Sequence, residues 1–115
     1  ILGCSLGRES DKWVDFNLYG HQIVAHLAPK DCDKQQKNIV DGDEIPSRHF
    51  GVILDWAEWQ ILCKKIMDKN VKFYLKPKIR FKNKKGEQGT FFILDPSSNV
   101  LEFKAFKYDE MVFEK

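Results

Sequence analysis

Cysteine is scarce in this sequence. Cys4, Cys32 and Cys63 are odd in number and show no C-x-x-C spacing, so neither a disulfide framework nor a cysteine zinc site is expected, and a reducing cytoplasm is the default location. An excess of one charge is also missing. The 19 Lys and Arg against 17 Asp and Glu leave a formal +2, too little to make nucleic acid the main partner. No apolar run approaches the roughly 20 residues of a membrane span, and no signal peptide is visible. What remains is an ordinary globular composition, 43% hydrophobic, 13% aromatic and 31% charged over 115 residues. That is enough chain for one domain with a real core.

The chain opens on Ile1-Leu2-Gly3-Cys4 without room for a starting cap, which reads as the end of a helix and points to residues before Ile1. WVDFNLY (13–19) and QIVAHLA (22–28), punctuated by Gly20, read as a β-hairpin. Residues 29–47 are polar and are expected to form a long connecting loop. HFGVIL (49–54) is an apolar run of strand length. Asp55 with Glu58 has the capping-box spacing, and Trp59, Leu62, Cys63, Ile66 and Met67 recur on one helical face. Asn70 is a plausible stop. VKFYL (71–75) predicts a strand that Pro77 weakens or ends, followed by a basic loop over 78–89. TFFIL (90–94) and Val100–Phe106 are strands joined by the turn residues of DPSSN (95–99). Residues 48–106 thus spell strand, helix, strand, strand, strand.

Three features carry chemistry. Glu102 sits inside the apolar run VLEFKAF, and a carboxylate buried without a partner costs several kcal/mol or takes up a proton. Either it is held by a partner or it turns outward with Lys104 and Phe106 at period two. His49 opens a strand beside Arg48 as a surface or capping residue or as a ligand, since neutral imidazole suits Zn, Fe, Ni or Mn. His21 and His26 lie on opposite faces of one strand, so one at most reaches a shared site; Gln22 and Val24 share the His26 face. KPKIRFKNK (76–84) places Lys76, Lys78, Arg80, Lys82 and Lys84 at every second position, either as a charged edge strand or as an electropositive lip for an anionic substrate.

GHQIVAHLAP (20–29), RHFGVIL (48–54), GEQGTFFILDP (86–96) and NVLEFKAF (99–106), in a βαβββ order, together resemble the vicinal oxygen chelate superfamily. Its members include glyoxalase I, extradiol dioxygenases and the fosfomycin and bleomycin resistance proteins. The resemblance covers nearly the whole chain. It implies an α+β fold of paired βαβββ modules with curved mixed sheets, the first module N-terminally incomplete because its opening strand would precede Ile1. The corresponding layout is a single domain over 1–115. It comprises a partial first module over 1–28, the loop over 29–47, the second module over 48–108 and a tail over 109–115.

Carried over residue by residue, the resemblance implies a divalent metal (Fe, Zn, Ni or Mn) held by His49, Glu102 and His26, with His21 as competitor. Glu102 also stands where a proton-shuttling base would be. It implies substrate contacts from His21, Arg80, Tyr74, Gln88 and Lys104. Ser98 stands where relatives often have Gly, in a turn that commonly needs positive φ. The activity implied is metal-assisted chelation of an oxygen-bearing small molecule, as in a lyase, isomerase or dioxygenase. The alternative is a bleomycin-resistance-like protein that sequesters a drug-like ligand without catalysis. The expected partners are that small molecule and a second copy in a homodimer, with neither nucleic acid nor membrane.

Overall fold

The computed structural model describes residues 1–32 and 36–113. Two compact units divide it, Ile1–Asp33 and Lys34–Lys115. The first is an antiparallel meander of β1 (Ser5–Ser10), β2 (Trp13–Leu18) and β3 (His21–His26). Leu18 pairs with His21, leaving a two-residue turn with Tyr19 at φ 51° and Gly20 at φ 84°. Such a positive-φ pair matches the twist of the flanking strands, so the hairpin expected over 13–28 forms. The helix end expected at residues 1–4 does not: these residues run irregularly into β1, which pairs with β2 through Ser5–Asn17 and Leu6–Phe16. All six residues of β1 are exposed. SLGRES therefore lacks the alternation that marks a half-buried strand.

In the second unit, β4 (Lys37–Val40) and β5 (Asp43–Pro46) form a hairpin within the segment expected to be loop. The signal was Asp41-Gly42, with φ of 50° and 80°, flanked by strands whose many polar residues hide the pattern. Residues 33–35 of the expected loop and 114–115 of the tail lie outside the described residues. Then follow β6 (Phe50–Ile53), α1 (Trp56–Asp68), β7 (Phe73–Arg80), β8 (Gln88–Leu94) and β9 (Val100–Phe106). This is the βαβββ order read from the sequence. The sheet runs β6-β9-β8-β7, with β6 parallel to β9 and the other pairs antiparallel. A short 3-10 turn, Asp109–Val112, ends the described chain. Among the described residues no helix is long and apolar enough to cross a membrane.

The helix starts because the Asp55 side chain accepts a hydrogen bond from the Glu58 backbone N–H at 2.8 Å, satisfying an orphan donor of the first turn. Trp59, Leu62, Cys63 and Ile66 are buried, whereas Met67, expected on the same face, is exposed. The Trp59 indole Nε1–H donates to the Phe103 carbonyl at 3.0 Å, and Phe91 stacks on Phe103 with centroids 5.2 Å apart. Gly89 admits the Trp59 ring, since a Cβ there would lie 2.9 Å from it. Phe103 and Ala105 are fully buried in this layer, and Leu101 is buried beside them. By the period of two, Glu102 and Lys104 point to the opposite face. Pro77 does not end β7, which continues to Arg80 with an irregular register between Leu75 and Lys78. An edge strand tolerates the missing donor, and the loop expected over 78–89 shortens accordingly.

Two substitutions test this packing. At Gly51 an added Cβ would overlap the backbone carbonyl of Glu102. Gly51→Ala is therefore expected to lose at least about 3 kcal/mol in urea unfolding; an unchanged midpoint would refute the close β6–β9 contact. Ser98 adopts φ 66°, a left-handed conformation costly for a side chain, so Ser98→Gly is expected to gain up to about 1 kcal/mol in the same assay.

Candidate metal and substrate site

Parallel pairing sets Gly51 opposite Glu102 and Phe50 opposite Leu101, so His49, just before β6, reaches the level of the Glu102 side chain. His49 Nε2 lies 3.3 Å from Glu102 Oε2, and its ring meets the edge of Phe92 with centroids 5.2 Å apart. On the other side of the ring, Nδ1 is 2.8 Å from the Pro46 carbonyl oxygen. A carbonyl only accepts, so Nδ1 carries the proton and donates. In a neutral ring Nε2 is then a bare lone pair facing a carboxylate oxygen.

The Glu102 side chain is only 11% exposed, and its partners are now visible. Thr90, fully buried, donates its hydroxyl to Oε1 at 2.8 Å. The Lys104 ammonium stands 3.3 Å from Oε2. His49 and Lys104 thus converge on one oxygen while Thr90 holds the other. The carboxylate is neither bare nor turned out to solvent.

These donors fit part of a metal set. Ligands at 2.0–2.2 Å from one ion stand about 3 Å apart, close to the His49–Glu102 separation, and a backbone carbonyl fixing the far nitrogen is the usual support for a ligating histidine. Within each unit, among the described residues, no three His, Cys, Asp or Glu side chains gather around one point. His26 and His21 belong to the first unit and stand at opposite ends of β3, His26 opposite Trp13 and His21 opposite Leu18.

The other candidates have definite neighbours. Arg80 is 4% exposed, and its guanidinium is taken up by Asp43 Oδ2 at 2.8 Å, Asp41 at 3.5 Å and the Val40 carbonyl at 3.0 Å. Lys78 also reaches Asp43, at 2.8 Å. The basic edge of β7 therefore anchors the β4–β5 hairpin. The Tyr74 hydroxyl donates to the Glu44 carbonyl at 3.2 Å, and Ile45 packs with Phe92 and Val100. Gln88 is buried opposite Arg80 and Phe106. The Lys78 hydrogen bond, aided by the charges of Lys78 and Arg80, holds the Asp43 carboxyl below its ordinary value against the opposing cost of burial. Burial pushes the Cys63 thiol up to about 11.

No protein-family model and no curated protein matches the chain. Solved structures do. A glyoxalase/bleomycin resistance protein/dioxygenase from Alicyclobacillus acidocaldarius is 31% identical, with 97% of this chain and 80% of that chain covered and a TM-score of 0.77. This chain belongs to the glyoxalase/bleomycin resistance/dioxygenase family of the vicinal oxygen chelate superfamily. At the level of fold, this family member also matches a mutant of the fosfomycin resistance protein FosX from Listeria monocytogenes, complexed with Mn(II) and 1S,2S-dihydroxypropylphosphonic acid. That match has 14% identity, covers 100% of this chain and 82% of that one, and has a TM-score of 0.63. Lactoylglutathione lyase from Agrobacterium tumefaciens matches at 14% identity, with 90% and 75% covered and a TM-score of 0.57.

For this family member the sequence pointed to His49 and Glu102, which the fold brings together. It missed Thr90 and Asp43. Thr90 was discoverable from strand pairing, since it lies opposite Lys104 and one diagonal from Glu102. Asp43 was hidden inside the presumed loop.

Two solution tests follow. Because the folded Asp43 carboxyl is lowered, the unfolded chain binds the extra proton, and the stabilisation is present above the ordinary carboxylate range and disappears as pH falls through the lowered value. Asp43→Asn should therefore cost about 2 kcal/mol at neutral pH, through the buried Arg80 left short of a partner, and little once the pH falls below that lowered value, as read by urea unfolding. A thiol-reactive chromogen at neutral pH should label exposed Cys32 in the folded protein and reach Cys63 only on unfolding, because Cys63 is buried with its thiol raised to about 11.

Proposed function

We propose that this protein is a metal-dependent enzyme of the glyoxalase/dioxygenase kind, acting on a small molecule that presents adjacent oxygens. The observation that carries this reading is the His49–Glu102 contact. With Nδ1 committed to the Pro46 carbonyl, the bare Nε2 and Glu102 Oε2 face each other at 3.3 Å, and two electron-rich atoms that close call for a cation between them. A divalent ion of the Mn, Fe, Ni or Zn type answers that need, as does a proton. When bound, such an ion supplies Lewis-acid polarisation of substrate oxygens.

The chain's own residues then divide the work. Pro46 fixes the His49 ring and Thr90 fixes the Glu102 carboxylate. Glu102 is placed to take and return a substrate proton. Lys104 is the nearest cation for a negative oxygen of the substrate. Mn(II) in the related FosX structure supports this reading, as do three free thiols for a cytoplasmic location. The exposed Phe50 and Ile53 on the outer strand β6 support a homodimer.

A second reading is a ligand-sequestering protein without catalysis. It is favoured by Lys104, which already neutralises Glu102 within the same unit. Metal analysis and Mn²⁺ titration of the wild type, His49→Ala and Glu102→Gln separate the two. The enzyme reading expects stoichiometric metal in the wild type and affinity weaker by at least about 100-fold in each variant. Equal metal binding in all three would refute the site. Metal-free protein that still binds bulky aromatic ligands would establish sequestration.

A further inference from the structure

The first unit carries a carboxylate that this chemistry does not use. Asp15 on β2 is 5% exposed, and both of its contacts fall on one oxygen. Gln22 Nε2–H donates to Oδ2 at 2.8 Å, and Arg8 Nε stands 3.4 Å from the same atom. Gly7 lets β1 pass close to Asp15, since a Cβ there would lie 3.0 Å from the Asp15 Cβ. Asp15 lines an open groove of about 410 Å³ together with Ser5, Arg8, Asn17 and Gln22. A second hollow of about 320 Å³ shares Ser5, Asn17 and Gly20 with it and ends at Leu2 and Tyr19.

The hydrogen-bond inventory of this groove is specific. Asp15 Oδ1 and Gln22 Oε1 remain as acceptors. Asn17 accepts from the Gly20 N–H through Oδ1 at 2.7 Å, so its Nδ2 remains a donor. The Arg8 guanidinium, 81% exposed, retains its outer N–H groups. Donors and acceptors are therefore both present in the groove, and the Arg8 and Asp15 charges offset each other. A cationic ligand facing Asp15 would also meet Arg8, and an anionic one facing Arg8 would meet Asp15, each at a cost.

We infer that this groove is a subsite for a neutral polyhydroxyl group, sugar-like in its alternating hydroxyl donors and acceptors, with Asp15 as the buried acceptor that selects it. The inference rests on the first unit alone and stands whether or not His49 and Glu102 hold a metal.

The test is an amide chemical-shift titration of the full chain with three matched probes: neutral methyl glucoside, cationic glucosamine and anionic gluconate. Saturating shifts at Gly7, Asn17 and Gln22 are expected, with the neutral probe at least about tenfold tighter than either charged one. Asp15→Asn should weaken it at least about tenfold. Because Asp15 is buried, Arg8→Ala on the exposed side gives a second arm. Removing that cation leaves Asp15 uncompensated, so the preference should pass to glucosamine. The proposal is overturned by the absence of saturable shifts in these residues, by tighter wild-type binding of a charged probe, or by an unchanged ranking in Arg8→Ala. The same titration on His49→Ala should match the wild type; loss of binding there would assign the sugar to the His49 site instead and overturn the proposal.

Discussion

The parallel pairing of β6 with β9 is the constraint on which the rest of the second unit depends. It is the one parallel ladder in a sheet whose other pairs are antiparallel, and α1 makes the crossover between β6 and the rest of the sheet. Its register decides that the imidazole entering β6 meets the acid in the middle of β9. A slip of one residue would turn Glu102 into the layer of Phe91, Phe103 and Trp59 and carry Phe103 to the polar face. The apolar layer under α1 therefore fixes the His49–Glu102 contact on the other face. The core has little freedom to move without moving the site.

Electrostatics on that face are arranged as linked pairs. Glu102 has a hydroxyl on one oxygen and an imidazole and an ammonium on the other. Further along the same face, Asp43 receives both Lys78 and Arg80. Buried charges persist only when matched in this way, because an unmatched one costs several kcal/mol. In the first cluster an imidazole nitrogen faces the carboxylate, whereas in the second both contacts to Asp43 are cations. The Asp43 cluster holds the β4–β5 hairpin against β7.

The legible part of this protein was the part written in periodicity. The α1 face, the buried β8 and the alternation of β9 follow from apolar spacing, and the turn through Ser98 from its residue types. His49 and Glu102 became a pair through resemblance, since nothing in their spacing joins residues so far apart. Three things were hidden. β1 is exposed along its whole length and so has no hydrophobic face to read. The β4–β5 hairpin announced itself only through Asp41-Gly42, its flanks being too polar to look like strands. Arg80 read either as part of a charged edge strand or of an electropositive lip, because the acid it serves, Asp43, lay in a segment read as a connecting loop. Pair interactions across a sheet are invisible until both strands are recognised.

The site's placement in the topology also sets when it comes into being. The meander of the first unit and the β4–β5 hairpin close through two-residue turns, and such local contacts form in microseconds. β6 and β9 are separated along the chain by α1, β7 and β8, so their pairing waits for a long loop to close and for the intervening sheet to assemble. His49 and Glu102 thus meet among the last events of folding. The His49–Glu102 contact is consequently a mark of completed assembly, absent from a partly folded chain in which only the helix and hairpins have formed.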